Sequence, residues 1–257
     1  MMDKQKFGTA CEKVINIQRE QNGIGTLGEK TLHAVLKHYF EPCETNHEIK
    51  VGSFVADIVN DTGIIEIQTR GFDRLRKKLA AFLDETPVTV IYPIPNIKWL
   101  LWVDKQTGEV TKKRKSPRQG RIHDVMFELY KIKHLLDHPN FRLCIVSINM
   151  EEYRYLDGWS KDKKKGSTRC DRIPIDIVDE IYISNPAEYI KFVPDELERQ
   201  FTSKDYQKAA KMSLSTARTA LNILHHLNVV KRVGKQGNAY VYERDGSVRL
   251  VSWVSEL

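Results

Sequence analysis

GSFVADIVNDTGIIEIQT, residues 52–69, decides how this chain is read. Two apolar runs flank Asn60-Asp61-Thr62-Gly63, a tetrad rich in the residues that tight turns demand, so the predicted local structure is a β-hairpin. Pairing Asn60 with Gly63 sets Val59 against Ile64, Ile58 against Ile65, and Asp57 against Glu66. Residues directly opposed on neighbouring strands hold their Cβ atoms about 4.5–5.5 Å apart, where like charges repel. The register therefore calls for something cationic between Asp57 and Glu66. A divalent ion with hard oxygen ligands, Mg²⁺ or Mn²⁺, is the simplest candidate. Gln68 returns to the same face by strand alternation, where it can orient a water or a phosphate oxygen. Alternation also puts Val55, Val59 and Ile64 on the carboxylate face and Ala56, Ile58, Ile65 and Ile67 on the other, so both faces are expected to be covered. The competing reading is a pair of solvated acids on an ordinary hairpin. Carboxylates among so many apolar residues need partners, which favours a site.

Upstream, Leu32, Val35, Leu36 and Tyr39 recur at helical spacing and place Glu29 in the first turn of a predicted helix. A Glu on a helix, then Asp57 on a strand, then Glu66-Ile67-Gln68 on the next, resembles the PD-(D/E)XK nuclease superfamily, also called the restriction-endonuclease-like fold. The resemblance covers residues 20–95 and implies that Asp57 and Glu66 bind the metal, that Glu29 is the helical acid, and that Gln68 occupies the usual lysine position. Ala56 stands where the name-giving proline would be. Glutamine at 68 cannot carry a positive charge or exchange a proton near neutral pH, although some members of the superfamily are similar in having it.

At 257 residues the chain has room for one substantial core and a smaller module. Its 41% hydrophobic content is that of a soluble globular protein, no run of about 18 apolar residues is present, and the polar start MMDKQKFGTACEK lacks a secretory signal's apolar core. A cytoplasmic location without membrane contact is expected. Cys11, Cys43, Cys144 and Cys170 have no paired spacing, against a zinc ribbon or a disulfide framework. Cys144, inside LCIVSI, reads as a buried strand residue. The net charge of +7 and pI near 9.1 favour a polyanionic partner, with DNA the first expectation. Two runs concentrate the charge: Lys112, Lys113, Arg114, Lys115, Arg118 and Arg121, then Lys161, Lys163, Lys164, Lys165, Arg169 and Arg172. Both contain loop-forming residues and read as flexible basic loops suited to clamping phosphates.

The pattern along the chain predicts helices over 8–21, 28–40 and 122–137, a helical stripe of Phe72, Leu75, Leu79 and Phe82, and strands in VTVIYPI, IKWLLWV and FRLCIVSINM. The fold class expected is α/β, mixed with α+β character: a sheet flanked by helices over residues 1–190, then a small domain over 200–257. SNPAEYIKFVPDELERQ marks the boundary. Beyond it, a Thr202-Ser203 cap, two short helices and the hairpin VVKRVGKQGNAYVYE resemble the winged helix-turn-helix family over residues 200–244. That resemblance implies DNA contact by Ser213, Ser215, Thr216, Arg218, Thr219 and Asn222 on the second helix and by Lys231, Arg232, Lys235, Gln236 and Asn238 on the wing. Trp99, Trp102, Tyr153 and Trp159 can stack on bases or pack in the core. The leading expectation is a metal-dependent nuclease, with a homodimer as one way to cut both strands. The alternatives are a DNA-binding regulator without chemistry and a scaffold whose winged helix binds protein.

Overall fold

The computed structural model describes residues 2–21, 30–158 and 167–244. Two helices open it, α1 (Lys4–Gln21) and α2 (Thr31–Phe40). The apolar stripe of α2 is buried as its spacing predicts, but the helix begins at Thr31, and Glu29 lies outside the described residues. Strands β1 (His47–Val51), β2 (Phe54–Asn60) and β3 (Gly63–Ile67) follow as an antiparallel meander. The β2–β3 register is the expected one: Asn60↔Gly63, Val59↔Ile64, Ile58↔Ile65. Asn60 Oδ1 accepts from the Thr62 amide at 3.0 Å, closing the turn with a side chain. Gly63 has φ +115°, and a Cβ there would lie 2.3 Å from the Pro87 carbonyl oxygen, so only glycine fits the turn's exit.

Helix α3 (Phe72–Leu83) carries the chain over to β4 (Val88–Val103), and α4 (Met126–Lys131) lies in the connection from β4 to β6 (Phe141–Tyr155). Both connections are long enough to make the strands parallel, β3 to β4 and β4 to β6. The short β5 (Arg114–Lys115) pairs with β4, and β7 (Arg169–Ile183) closes the order β1-β2-β3-β4-β6-β7. VTVIYPI and IKWLLWV, read as two strands, are one strand of 16 residues. Pro93 and Pro95 are tolerated within it because their ring nitrogens face the β3 side, where pairing has already ended at Ile67↔Ile91. The helix expected over 122–137 is broken into two 3-10 turns flanking α4, with Val125, Met126, Leu129, Ile132 and Leu136 still buried on one side.

Apolar layers cover both faces of the sheet. One joins Ile58, Ile65, Ile67, Ile91 and Cys144 to α1 and α2; the other joins Ile64, Val90 and Leu143 to α3 and α4. Ala56 belongs to the second layer although alternation puts it with Ile58, and Val55 is 49% exposed. At the same place the β1–β2 ladder skips from His47↔Ile58 to Ile49↔Ala56, and the intervening Glu48 has φ +53°, so the sheet is irregular there.

The segment read as a boundary is a 3-10 stretch, Pro186–Phe192, whose Tyr189, Ile190 and Phe192 are buried. After it come β8 (Gln200–Thr202), α5 (Ser203–Ala209), α6 (Leu214–His226), β9 (Val230–Gln236) and β10 (Ala239–Arg244), with sheet order β8-β10-β9. Thr202 and Asp205 form a capping box at α5, and Ser213 caps α6. Ala217, Leu221 and Leu224 of α6 share one core with Met126, Leu129 and Ile132, so this unit is fused to the sheet's α3/α4 side. No helix among the described residues is long and apolar enough to cross a membrane.

Candidate functional site

Asp57 and Glu66 meet where β2 and β3 part. Beyond Ile58↔Ile65 the ladder gives way to side chains: the Asp57 amide donates to Glu66 Oε1 at 3.3 Å, and the Ile67 amide donates to Asp57 Oδ2 at 2.8 Å. Each carboxylate thus takes a backbone donor from the opposite strand. Two further groups complete the pair. His33 Nε2 lies 3.2 Å from Asp57 Oδ2, and Lys78 Nζ donates to Glu66 Oε2 at 2.6 Å. The helices that deliver them are both tied down at their N-termini by a remote carboxylate. Asp171 of β7 accepts from the Thr31 amide and hydroxyl at the start of α2, and Glu128 of α4 accepts from the Gly71 and Phe72 amides at 2.7 and 2.9 Å at the start of α3.

The expected charge conflict is real, and much of it is answered from inside the protein. Burial and the neighbouring Asp57 push the Glu66 carboxyl up to about 7, with Lys78 acting in the opposite direction. For Asp57 burial also works to raise the pKa, but the His33 hydrogen bond and charge and the Ile67 amide hold it below the ordinary carboxylate range. Within the fold, Lys78 and His33 supply positive charge or hydrogen bonds to the two acids. Among the described residues no group of three or more His, Cys, Asp or Glu stands ready to hold a metal.

A cavity of about 600 Å³ opens beside this pair, and His33, Ile67 and Gln68 belong to its wall. Its other lining is basic: Lys30, Arg70, Arg154, Arg169 and Arg172. Beneath it Glu152, 0% exposed, accepts from Arg154 Nε at 2.8 Å and lies 3.3–3.4 Å from Lys98 Nζ, Arg169 Nε and Arg172 Nε. Burial opposes ionisation of Glu152, yet these cations hold it down at about 2. Asp171, the acid in the cavity wall, is engaged by Thr31 and by the Arg172 amide.

Residues 30–184 match the family described as Domain of unknown function, DUF8091. The chain belongs to the DUF8091 family. The match stops at the end of β7, so it takes in Asp57, Glu66 and the whole basic cavity and leaves out everything from Asn185 onward. An uncharacterized protein of Treponema pallidum (strain Nichols) is 26% identical over 223 residues, 86% of this chain and 88% of the relative. No solved structure matches.

The DUF8091 domain orders much of what was read as flexible basic loop. Arg114 and Lys115 form β5, paired to Leu100 and Trp99, and Lys113 donates to Glu151 at 2.6 Å while lying 4.5 Å from the Trp99 ring centre. Arg169 and Arg172 are strand residues of β7, set opposite Arg154 and Glu152 of β6. Lys112, Arg118 and Arg121 are exposed. Lys161, Lys163, Lys164, Lys165 and Trp159 lie outside the described residues. Beyond the DUF8091 match, Ser215 and Arg218 are exposed on α6 and Thr216 and Thr219 half-buried. Asn222 accepts from Lys133 at 3.1 Å, which turns it toward the larger unit. Lys231, Arg232 and Lys235 are exposed on β9, with Arg232 4.3 Å from the Tyr240 ring centre. Sequence reading passed over His33, Lys78, Arg70, Arg154 and Glu152. Lys78 did leave a signal, standing three residues after Leu75 and four before Phe82 on the border of a buried stripe.

Proposed function

We propose that the protein is a metal-dependent nuclease of restriction-endonuclease-like fold, acting on DNA that a C-terminal winged helix helps to hold. The observation that carries the reading is the acid pair of half-buried Asp57 and buried Glu66, set beside an arginine-lined cavity that suits a phosphate-bearing substrate. The donors fit Mg²⁺ or Mn²⁺ in kind. Asp57 receives both His33 and the Ile67 amide on Oδ2, so Oδ1 is not engaged by them, and Glu66 and the Gln68 amide add further oxygens. An ion held by Asp57 and Glu66 supplies polarisation of the scissile phosphate and a more acidic water. Gln68 would orient the attacking water. Lys78, reaching in from α3, provides near the reacting phosphate the positive charge that glutamine at 68 lacks.

Cleavage of labelled single- and double-stranded DNA with Mg²⁺ or Mn²⁺, beside Glu66→Ala, tests the proposal. Cleavage lost in the variant supports it; cleavage retained overturns it. A second reading, a DNA-binding regulator without chemistry, draws on the Lys78–Glu66 contact at 2.6 Å, which lets the acid pair persist with no ion. Tight DNA binding without cleavage under every metal condition would favour that reading.

A further inference from the structure

The basic cavity has a feature that the acid pair does not require: one buried carboxylate orients three arginines toward a single space. We propose that this cavity is a pocket for the terminal phosphate of a nucleic-acid strand, gripped by Arg169 and Arg172. Both reach Glu152 through Nε, at 3.4 Å each, so the η nitrogens of each are not engaged by that carboxylate. Their side chains keep 42% and 23% of their exposure, and both line the cavity. A guanidinium held by one edge presents a planar fork, the geometry that matches phosphate. Because Glu152 is wholly buried and fixed by four cations, the arginines are arranged before any ligand arrives.

Charge selects the end of a strand over its interior. Among the described residues the acids at the five lining cations, with Lys98 beneath them, are Glu152 and Asp171, and Asp171 is engaged at the start of α2. Burial together with Arg172, Arg70 and Arg154 lowers Arg169 to about 10, with Glu152 acting in the opposite direction, a sign of like-charge crowding that an anion would relieve. A terminal phosphate carries about −1.5 to −2 at neutral pH, more than the single charge of an internal diester. About 600 Å³ is a volume suited to one nucleotide-sized group, in the range of roughly 300–1,000 Å³ typical of ligand pockets. The sheet also continues the site outward. Arg172 pairs with Glu152, Glu152 with Leu100, and Leu100 with Arg114, so a single register line crosses β7, β6, β4 and β5 from the pocket to the exposed basic run. That run offers the following phosphates a path, which favours a strand over a small free anion.

The pocket deepens the nuclease reading by naming its substrate class, but its test is independent of cleavage. Fluorescence anisotropy in EDTA, on the full chain, compares one oligonucleotide with a 5′-phosphate, a 3′-phosphate or hydroxyls at both ends. One phosphorylated end is expected to bind about tenfold more tightly than the hydroxyl form. Arg169→Gln and Arg172→Gln should each erase that preference, bringing the phosphorylated and hydroxyl ends to equal affinity. Arg172→Lys, which keeps the charge without the fork, should lose most of it and guards against a folding defect. Equal affinity for all three ends in the wild type would overturn the proposal. Displacement of the phosphorylated strand by a nucleoside monophosphate or inorganic phosphate at equal concentration would overturn it too, in favour of a small-anion pocket.

Discussion

Glu66 and Glu152 are both almost wholly withdrawn from water, 2% and 0% exposed, and burial alone would raise both. Their neighbours drive them apart. Glu66 shares its space with Asp57 and faces Lys78, and it rises to about 7; Glu152 has four cations against it, and it falls to about 2. One region therefore holds surplus negative charge ready for a cation or a proton. The other holds surplus positive charge ready for an anion, and His33, Ile67 and Gln68 stand between them in a shared wall. Adjacent sites of opposite demand are what the ends of a bound phosphodiester and its hydrolytic ion would need.

The comparison breaks first at the acid pair. If Asp57 and Glu66 act as one unit, Glu66→Ala and Asp57→Ala should each lower metal-dependent cleavage about 10³-fold, within the 10²–10⁴-fold span of such groups. The double variant should be scarcely worse than either, as single-turnover rates would show.

Stability separates the regions next. Glu152→Gln leaves Lys98, Arg154, Arg169 and Arg172 without their shared counter-charge and should destabilise the fold by about 3–5 kcal/mol in urea titration. Lys78→Met should cost distinctly less, because Glu66 can then take up a proton and bury itself neutral.

The pH dependence sharpens the contrast through its sign. Glu66 has a raised pKa, so its contribution to stability is full below about 4.5 and is lost as pH rises through about 7. Glu152 has a lowered pKa, so its contribution is full above about 4.5 and is lost as pH falls toward about 2. Melting temperature measured across this range should therefore lose its decline above pH 4.5 in Glu66→Gln and soften its acid collapse in Glu152→Gln. The reverse assignment would show that the neighbours have been misread. The smallest effect is expected at the C-terminal unit: Arg218→Ala or Lys235→Ala should weaken DNA binding a few-fold and reduce the salt slope by about one each.

The hairpin was legible because its determinants are local. Turn residues at 60–63 and period-two apolar runs define a register, which the structure keeps from Asn60↔Gly63 to Ile58↔Ile65 before side-chain bonds at Asp57 and Glu66 take over. The α3 stripe and the buried Cys144 were legible for the same reason. The single strand through Pro93 and Pro95 was not, since the tolerance of those prolines depends on where a neighbouring strand ends. Nor was the strand placement of Arg114, Lys115, Arg169 and Arg172, which follows from their pairing with β4 and β6.

Which charges face one another belongs to the same divide. From the sequence alone, Asp57 and Glu66 were placed on the two facing strands of one hairpin, because a single turn at 60–63 joins them. That Lys78 answers Glu66, that His33 answers Asp57, and that Arg154, Arg169 and Arg172 close on Glu152 was decided only when α2, α3 and β7 were brought to one end of the sheet. Short-range pairing follows from backbone geometry, which neighbouring residues carry with them. The partners of a buried charge are chosen by packing between distant elements, and that same packing sets whether a glutamate is held near 7 or near 2.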